Sequence, residues 1–85
     1  MASTFPEHVE IDAKGDAILG AEVAARMLDV PLDAFLADLR AGIVYSVVER
    51  GEGEDAGRLR LTLRRRATTR VLVVDAATGR VIEAS

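Results

Sequence analysis

Between Glu49 and Arg66 the chain reads ERGEGEDAGRLRLTLRRR, with its charge sorted along the way. Glu49, Glu52, Glu54 and Asp55 crowd the first half, and Arg58, Arg60, Arg64, Arg65 and Arg66 the second. Clustered carboxylates can gather oxygens around a hard cation, but a calcium loop needs alternating ligand positions and a closing glutamate, which this spacing lacks. The acidic stretch therefore reads as a solvated turn, and no metal site is expected. Arginines present a planar fork that suits phosphate or carboxylate. In RLRLTLRRR, Leu59, Leu61 and Leu63 point one way along a strand, while Arg58, Arg60, Thr62, Arg64 and Arg66 point the other. With Arg70, these guanidiniums could hold phosphates without sequence preference. No aromatic residue interleaves with them to stack bases, as single-strand platforms require. An alternative needs no ligand. Acids on an exposed hairpin tip from Glu49 to Gly57 lose little hydration, and arginine stems cover a sheet face while their heads stay wet and discourage stray strand pairing.

Other chemistry finds little support. There is no cysteine, which removes disulfides, thiolate metal sites and a cysteine nucleophile. His8 is the only histidine. A serine–histidine pair would have to join it to Ser3 or Ser46 without a glycine-framed nucleophile turn. GEGEDAG is acidic and enters a strand, so it would repel the phosphates that a glycine-rich loop ahead of a helix cradles. No catalytic residue and no cofactor is expected, and the chain reads as a non-enzyme.

The charge asymmetry extends over the whole chain. Residues 1–57 hold four bases against twelve acids, −8, and residues 58–85 hold seven arginines against two acids, +5, for a net −3. Such a dipolar distribution bears on association and partner choice rather than on fold. At 85 residues, 49% apolar and 29% charged, the chain suits one small folded domain, 1–85, with a thin stability margin. The absence of cysteine, of a basic-then-apolar leader and of any bilayer-length apolar run leads to the expectation of a cytoplasmic protein that does not enter membranes.

The elements that must carry these residues follow from periodicity. HVEID alternates with period two, Val9 and Ile11 on one face, and predicts a short strand; AKGD is a turn. A first helix is predicted near Gly20–Leu28, where Leu19, Val23 and Met27 fall a turn apart. Pro31 suits the first position of a second helix running to about Ala41, with Leu32, Phe35, Leu36 and Leu39 as its apolar stripe and Gly42 as its stop. IVYSVVER, RLRLTLRRR, RVLVVD and RVIEA are four strands joined by short turns, an antiparallel meander. The fold class expected is α+β in the order β-α-α-β-β-β-β, with two helices packed on the leucine and valine face of the sheet.

AEVAARMLDVPLDAFLADLRAGIV resembles the helix-turn-helix of small winged regulators: Ala25 is the small residue of the first helix, Val30 follows the turn, and Phe35 and Leu39 pack the second helix. It departs from that pattern at Asp29, where glycine is usual. In such proteins the second helix reads the major groove. Here its outer face would be Asp33, Ala34, Ala37, Asp38 and Ala41, which places two carboxylates near phosphates and leaves Arg40 alone for a guanine contact. A broader resemblance covers nearly the whole chain and is carried by Ser46–Asp75, SVVERGEGEDAGRLRLTLRRRATTRVLVVD. This segment, and the RGEGEDAGR core above all, is similar to a family of small bacterial proteins of unknown function in which aromatics stand where this chain has Leu59 and Leu63. That resemblance implies no activity and no cofactor, and it makes the acidic tip a family feature.

The sequence thus favours a protein-interaction or regulatory module, acting on an unknown protein partner or by self-association. Its candidate residues are Glu49, Glu52, Glu54, Asp55, Arg58, Arg60, Arg64 and Arg66. Pairing of the acidic tip with the arginine face of a second copy would weaken as salt rises. Tyr45, Val47 and Val48 are seam residues if the sheet edge is exposed, and ordinary core if it is not. The alternative is a nucleic-acid-binding winged helix with Arg58–Arg66 as a basic wing.

Overall fold

The computed structural model describes residues 4–85. The expected order of elements is present, with one addition at the start. β1 (Glu10–Ile11) and a second short strand, β2 (Ala17–Ile18), form their own antiparallel pair. The AKGD turn makes this hairpin: the Asp12 carboxylate accepts the N–H groups of Lys14 and Asp16, both at 2.9 Å, and Gly15 takes φ +84°. Ala17 and Ile18 therefore return along β1 instead of leading directly into a helix.

Helices α1 (Ala21–Met27) and α2 (Leu32–Arg40) follow. Both end in the same way. At α1, the N–H of Asp29 reaches Arg26 O and that of Val30 reaches Ala25 O; at α2, Gly42 N–H reaches Leu39 O and Ile43 N–H reaches Asp38 O. These are two Schellman closures, which need a left-handed residue just past the helix. Gly42 supplies it at φ +74°, and Asp29 at φ +57°. Asp29 thus adopts the backbone shape for which glycine is the usual residue. Pro31 stands just outside α2 with extended ψ of 150°, one position earlier than the sequence predicts.

The remaining strands are β3 (Val44–Arg50), β4 (Arg58–Arg65), β5 (Thr68–Asp75) and β6 (Val81–Ala84), an antiparallel sheet in that spatial order. Leu59, Leu61, Leu63, Leu72, Val74 and Val44 are buried on its inner face against Ala24, Ala25, Met27, Leu28 and Phe35. Only Phe35 of the expected α2 stripe is fully buried, and Leu32 and Leu39 stay exposed. Three arginines also lie on the inner face, because Arg65 pairs with Val44, Arg70 with Leu63 and Arg50 with Leu59 in the ladders, and Arg50 donates to the Gly15 carbonyl of the first hairpin at 3.2 Å. Arg65 Nε donates to Asp38 of α2 at 2.7 Å, a pair whose side chains are 26% and 17% exposed. Arg70 Nε donates to the Met27 carbonyl at the end of α1, at 3.0 Å. Each helix is thereby tied to the sheet by one guanidinium.

The two sheet edges differ. Along β6, residues 7–9 lie as a partial extra strand: Val81 N–H donates to Glu7 O, Val9 N–H to Gly79 O, and His8 bridges Arg80. The approach is close, because a Cβ on Gly79 would run into the Val9 carbonyl. Among the described residues, none covers β3 in this way.

The helix closures are testable by substitution. A Cβ at Gly42 meets no atom within 4 Å, so Gly42→Ala perturbs backbone conformation alone and should cost about 1 kcal/mol. Asp29→Gly should raise stability by about 0.5–1 kcal/mol, strain relieved in the fold exceeding the entropy added to the unfolded chain. Urea unfolding of both variants measures this, and a cost-free Gly42→Ala contradicts it.

Candidate functional site

The outer face of the sheet has no layer above it among the described residues, and the pairing registers fix what it displays. Four rows run across it. Arg58 faces Asp75. Glu49, Arg60, Val73 and Glu83 form the second row, and Val47, Thr62, Val71 and Ser85 the third. Tyr45, Arg64 and Thr69 form the fourth. Side chains directly opposite in neighbouring strands stand about 5 Å apart at Cβ, so each row is a set of neighbours. The face is therefore a mixed surface: three arginines, three carboxylates, and between them an apolar band of Tyr45, Val47, Val71 and Val73.

This arrangement redistributes the sequence candidates. Arg58, Arg60 and Arg64 project from the open face as expected. Arg66 does not; β4 ends at Arg65, and Arg66 turns the chain at φ +54°. Arg70 is turned inward to Met27 and is not available as a phosphate ligand. Glu49 belongs to β3 and stands beside Arg60, so the tip is shorter than expected. Its centre is a single 3-10 turn, Gly53–Asp55, with Glu52, Glu54 and Asp55 exposed. Gly51 lets this turn fold back, since a Cβ there would strike the Asp55 carbonyl.

Glu49, Glu52, Asp55, Arg58 and Arg60 come together around an open depression of about 460 Å³ at the base of the tip. Glu54, Arg64 and Arg66 are outside it. Arg58 meets Asp55 at 3.8 Å, an exposed pair of the kind that contributes little. Arg60, Arg64 and Arg66 form no ion pair among the described residues, and no three potential metal ligands converge there. His8 is exposed and donates from Nε2 to the Thr78 carbonyl at 2.6 Å, while Ser3 lies outside the described residues.

Asp75, at the end of the Arg58 row, was not among the sequence candidates. Its Oδ1 accepts the N–H groups of Ala77 at 2.8 Å and Thr78 at 3.1 Å. These bonds hold its carboxyl below the usual carboxylate range, helped by the Thr78 hydroxyl and by Arg58 and opposed by partial desolvation. A register counted back from the two-residue turn at Arg66 and Ala67 would have placed Asp75 opposite Arg58. Glu83 lay beyond such counting, because the ladder to β6 shifts register between Val73 and Val74.

Comparison with known proteins adds one finding. A model of a family of unknown function, DUF6522, matches residues 6–85. The chain belongs to that family. The match takes in both helices, the acidic tip and every strand, so the open face is part of the DUF6522 domain and not an appendage to it. No curated protein and no solved structure matches. Among the described residues, no helix of this DUF6522 member is long and apolar enough to cross a membrane.

The Asp75 turn gives a pH-dependent prediction. A carboxyl whose pKa is lowered in the folded state adds stability above its unfolded pKa, about 3.9, and loses that contribution as pH falls through the lower folded value. Asp75→Asn should melt below wild type at neutral pH, and the gap should close in acid. Melting curves across that range measure it; a gap constant with pH contradicts the assignment.

Proposed function

We propose that this DUF6522 protein is a non-enzymatic interaction module that binds another protein surface through the uncovered side of its sheet. One observation carries the reading: in an 85-residue chain, the large exposed apolar side chains of the sheet concentrate on β3, with Tyr45 50% and Val47 45% exposed on the open face and Val48 37% exposed on the inner one. A chain with a core this small leaves such residues in water at a cost, and apolar positions rimmed by balanced charge mark association surfaces. Glu49, Arg58, Arg60 and Arg64 form that rim, where they set orientation and encounter rate more than affinity.

The same face argues against a basic wing. Carboxylates share the rows of Arg58 and Arg60, three against the three arginines of the face, so the potential that would draw phosphates is largely cancelled. On α2, Asp33 is exposed and Asp38 is committed to Arg65, which leaves the helix poor in groove-reading groups.

Anisotropy of a labelled DNA duplex titrated with the protein at low and at physiological salt tests the reading. No saturable binding is expected at either salt. Saturable binding that falls steeply with salt overturns the interaction reading in favour of nucleic acid.

A further inference from the structure

The backbone of β3 points to the partner. Gly51 N–H donates to Arg58 O at 2.9 Å, which makes Gly51 and Arg58 a hydrogen-bonded pair of the β3–β4 ladder. Such pairs recur at every second residue in an antiparallel ladder. Glu49, Val47 and Tyr45 therefore also direct their N–H and C=O groups to β4, and Arg50, Val48, Ser46 and Val44 direct theirs outward. No described backbone group meets that outward side. Native proteins blunt an exposed edge with lysine, proline or a bulge. β3 has no lysine, proline or bulge over its seven residues; its charges, Glu49 and Arg50, stand together at one end, and Val44, Tyr45, Ser46, Val47 and Val48 make up the rest.

We infer that a second copy of this chain pairs on the free edge of β3, antiparallel and about a two-fold axis through Val47, joining the two sheets into one. This rests on the protein-interaction reading above and names the partner.

Three observations support a second copy. First, symmetry: a two-fold axis perpendicular to the sheet pairs residues of like parity, which is the parity the outward groups require, and Val47 is the midpoint of Val44–Arg50. In this register Val47 faces Val47 of the second copy in the close, non-hydrogen-bonded position, and Ser46 faces Val48 of the second copy. Second, charge and shape: Tyr45 comes opposite Glu49 of the second copy. The outer row then reads Arg60, Glu49, Tyr45, Arg64 across the junction, so Glu49 stands between Arg60 of its own chain and Tyr45 of the second copy, and both arginines of the row are without an ion pair among the described residues. On the inner side, Val48 of the second copy reaches a groove of about 230 Å³ lined by Leu19, Phe35, Leu39 and Ser46, where Leu39 is 47% exposed. Third, closure: a two-fold pairing uses the β3 edges of both copies at once, so assembly through this edge ends at two chains, while residues 7–9 cover the opposite edge at residues 79–81.

Sedimentation equilibrium of the full chain over a concentration series tests this, alongside Val47→Lys and Val47→Glu. Val47 is exposed, so both variants should fold, and circular dichroism checks that they do. Wild type should reach the dimer mass and hold it at high salt, since main-chain bonds and apolar contact form the seam. Each variant puts like charges face to face, and its dimer dissociation constant should rise by at least about tenfold. An equimolar mixture of the two should recover the dimer, because Lys and Glu then oppose each other. Ser46→Pro removes one outward N–H without touching the β4 ladder and should also give monomers. A wild type that stays monomeric at all concentrations overturns the dimer, as does a Val47→Lys variant that dimerises like wild type. Failure of the underlying reading shows separately, as saturable duplex binding.

Discussion

The structure depends on a mismatch of lengths. α1 and α2 have seven and nine residues, about 10 and 13 Å, whereas the eight-residue strands β4 and β5 run about 27 Å. Two such helices cannot roof the sheet they serve. They bury the inner leucines of β4 and the neighbouring Leu72 and Val74, and leave Ser46, Val48 and Arg50 at the margin. The buried side chains are those beneath the helices, and Val48 is exposed where the roof ends. The outer face is open because both helices pack on the inner one, and the inner margin along β3 follows from the shortfall.

Within that constraint, strand parity sorts the arginines into separate duties. Arg58, Arg60 and Arg64 stand on the open face. Arg65, one residue out of step with them, passes beneath the sheet to Asp38, and Arg70 does the same to the end of α1. Removing either partner of the half-buried Arg65–Asp38 pair would leave a charge poorly solvated, a larger loss than at an exposed pair such as Arg58–Asp55. The run of three arginines at 64–66 therefore holds an outward residue, a tether and a turn.

Much of this was legible in the sequence because alternation and helical spacing are local signals. RLRLTLRRR gave its leucine face directly, Gly42 marked the end of α2, and RGEGEDAGR pointed to the family that the whole-domain match then showed. What escaped depended on register between strands. The neutral character of the open face needs Glu49, Asp75 and Glu83 set against particular arginines, and a bulge in the last ladder hides one of them. The short β2 escaped because two residues carry no periodicity. Asp29 read as a departure from a helix-turn-helix pattern; its left-handed backbone shows that the position keeps the shape and changes only the side chain.

β3 directs one side of its backbone to β4, and the other side is the one proposed to receive a second copy. Amide hydrogen exchange read residue by residue along β3 separates the two sides. In a sample dilute enough to have the monomer mass, Val47 and Glu49 should exchange slowly and Ser46 and Val48 fast, and concentrating the protein should slow Ser46 and Val48 alone. Slow exchange at Ser46 and Val48 in the monomer, or exchange there that concentration does not change, would contradict the account.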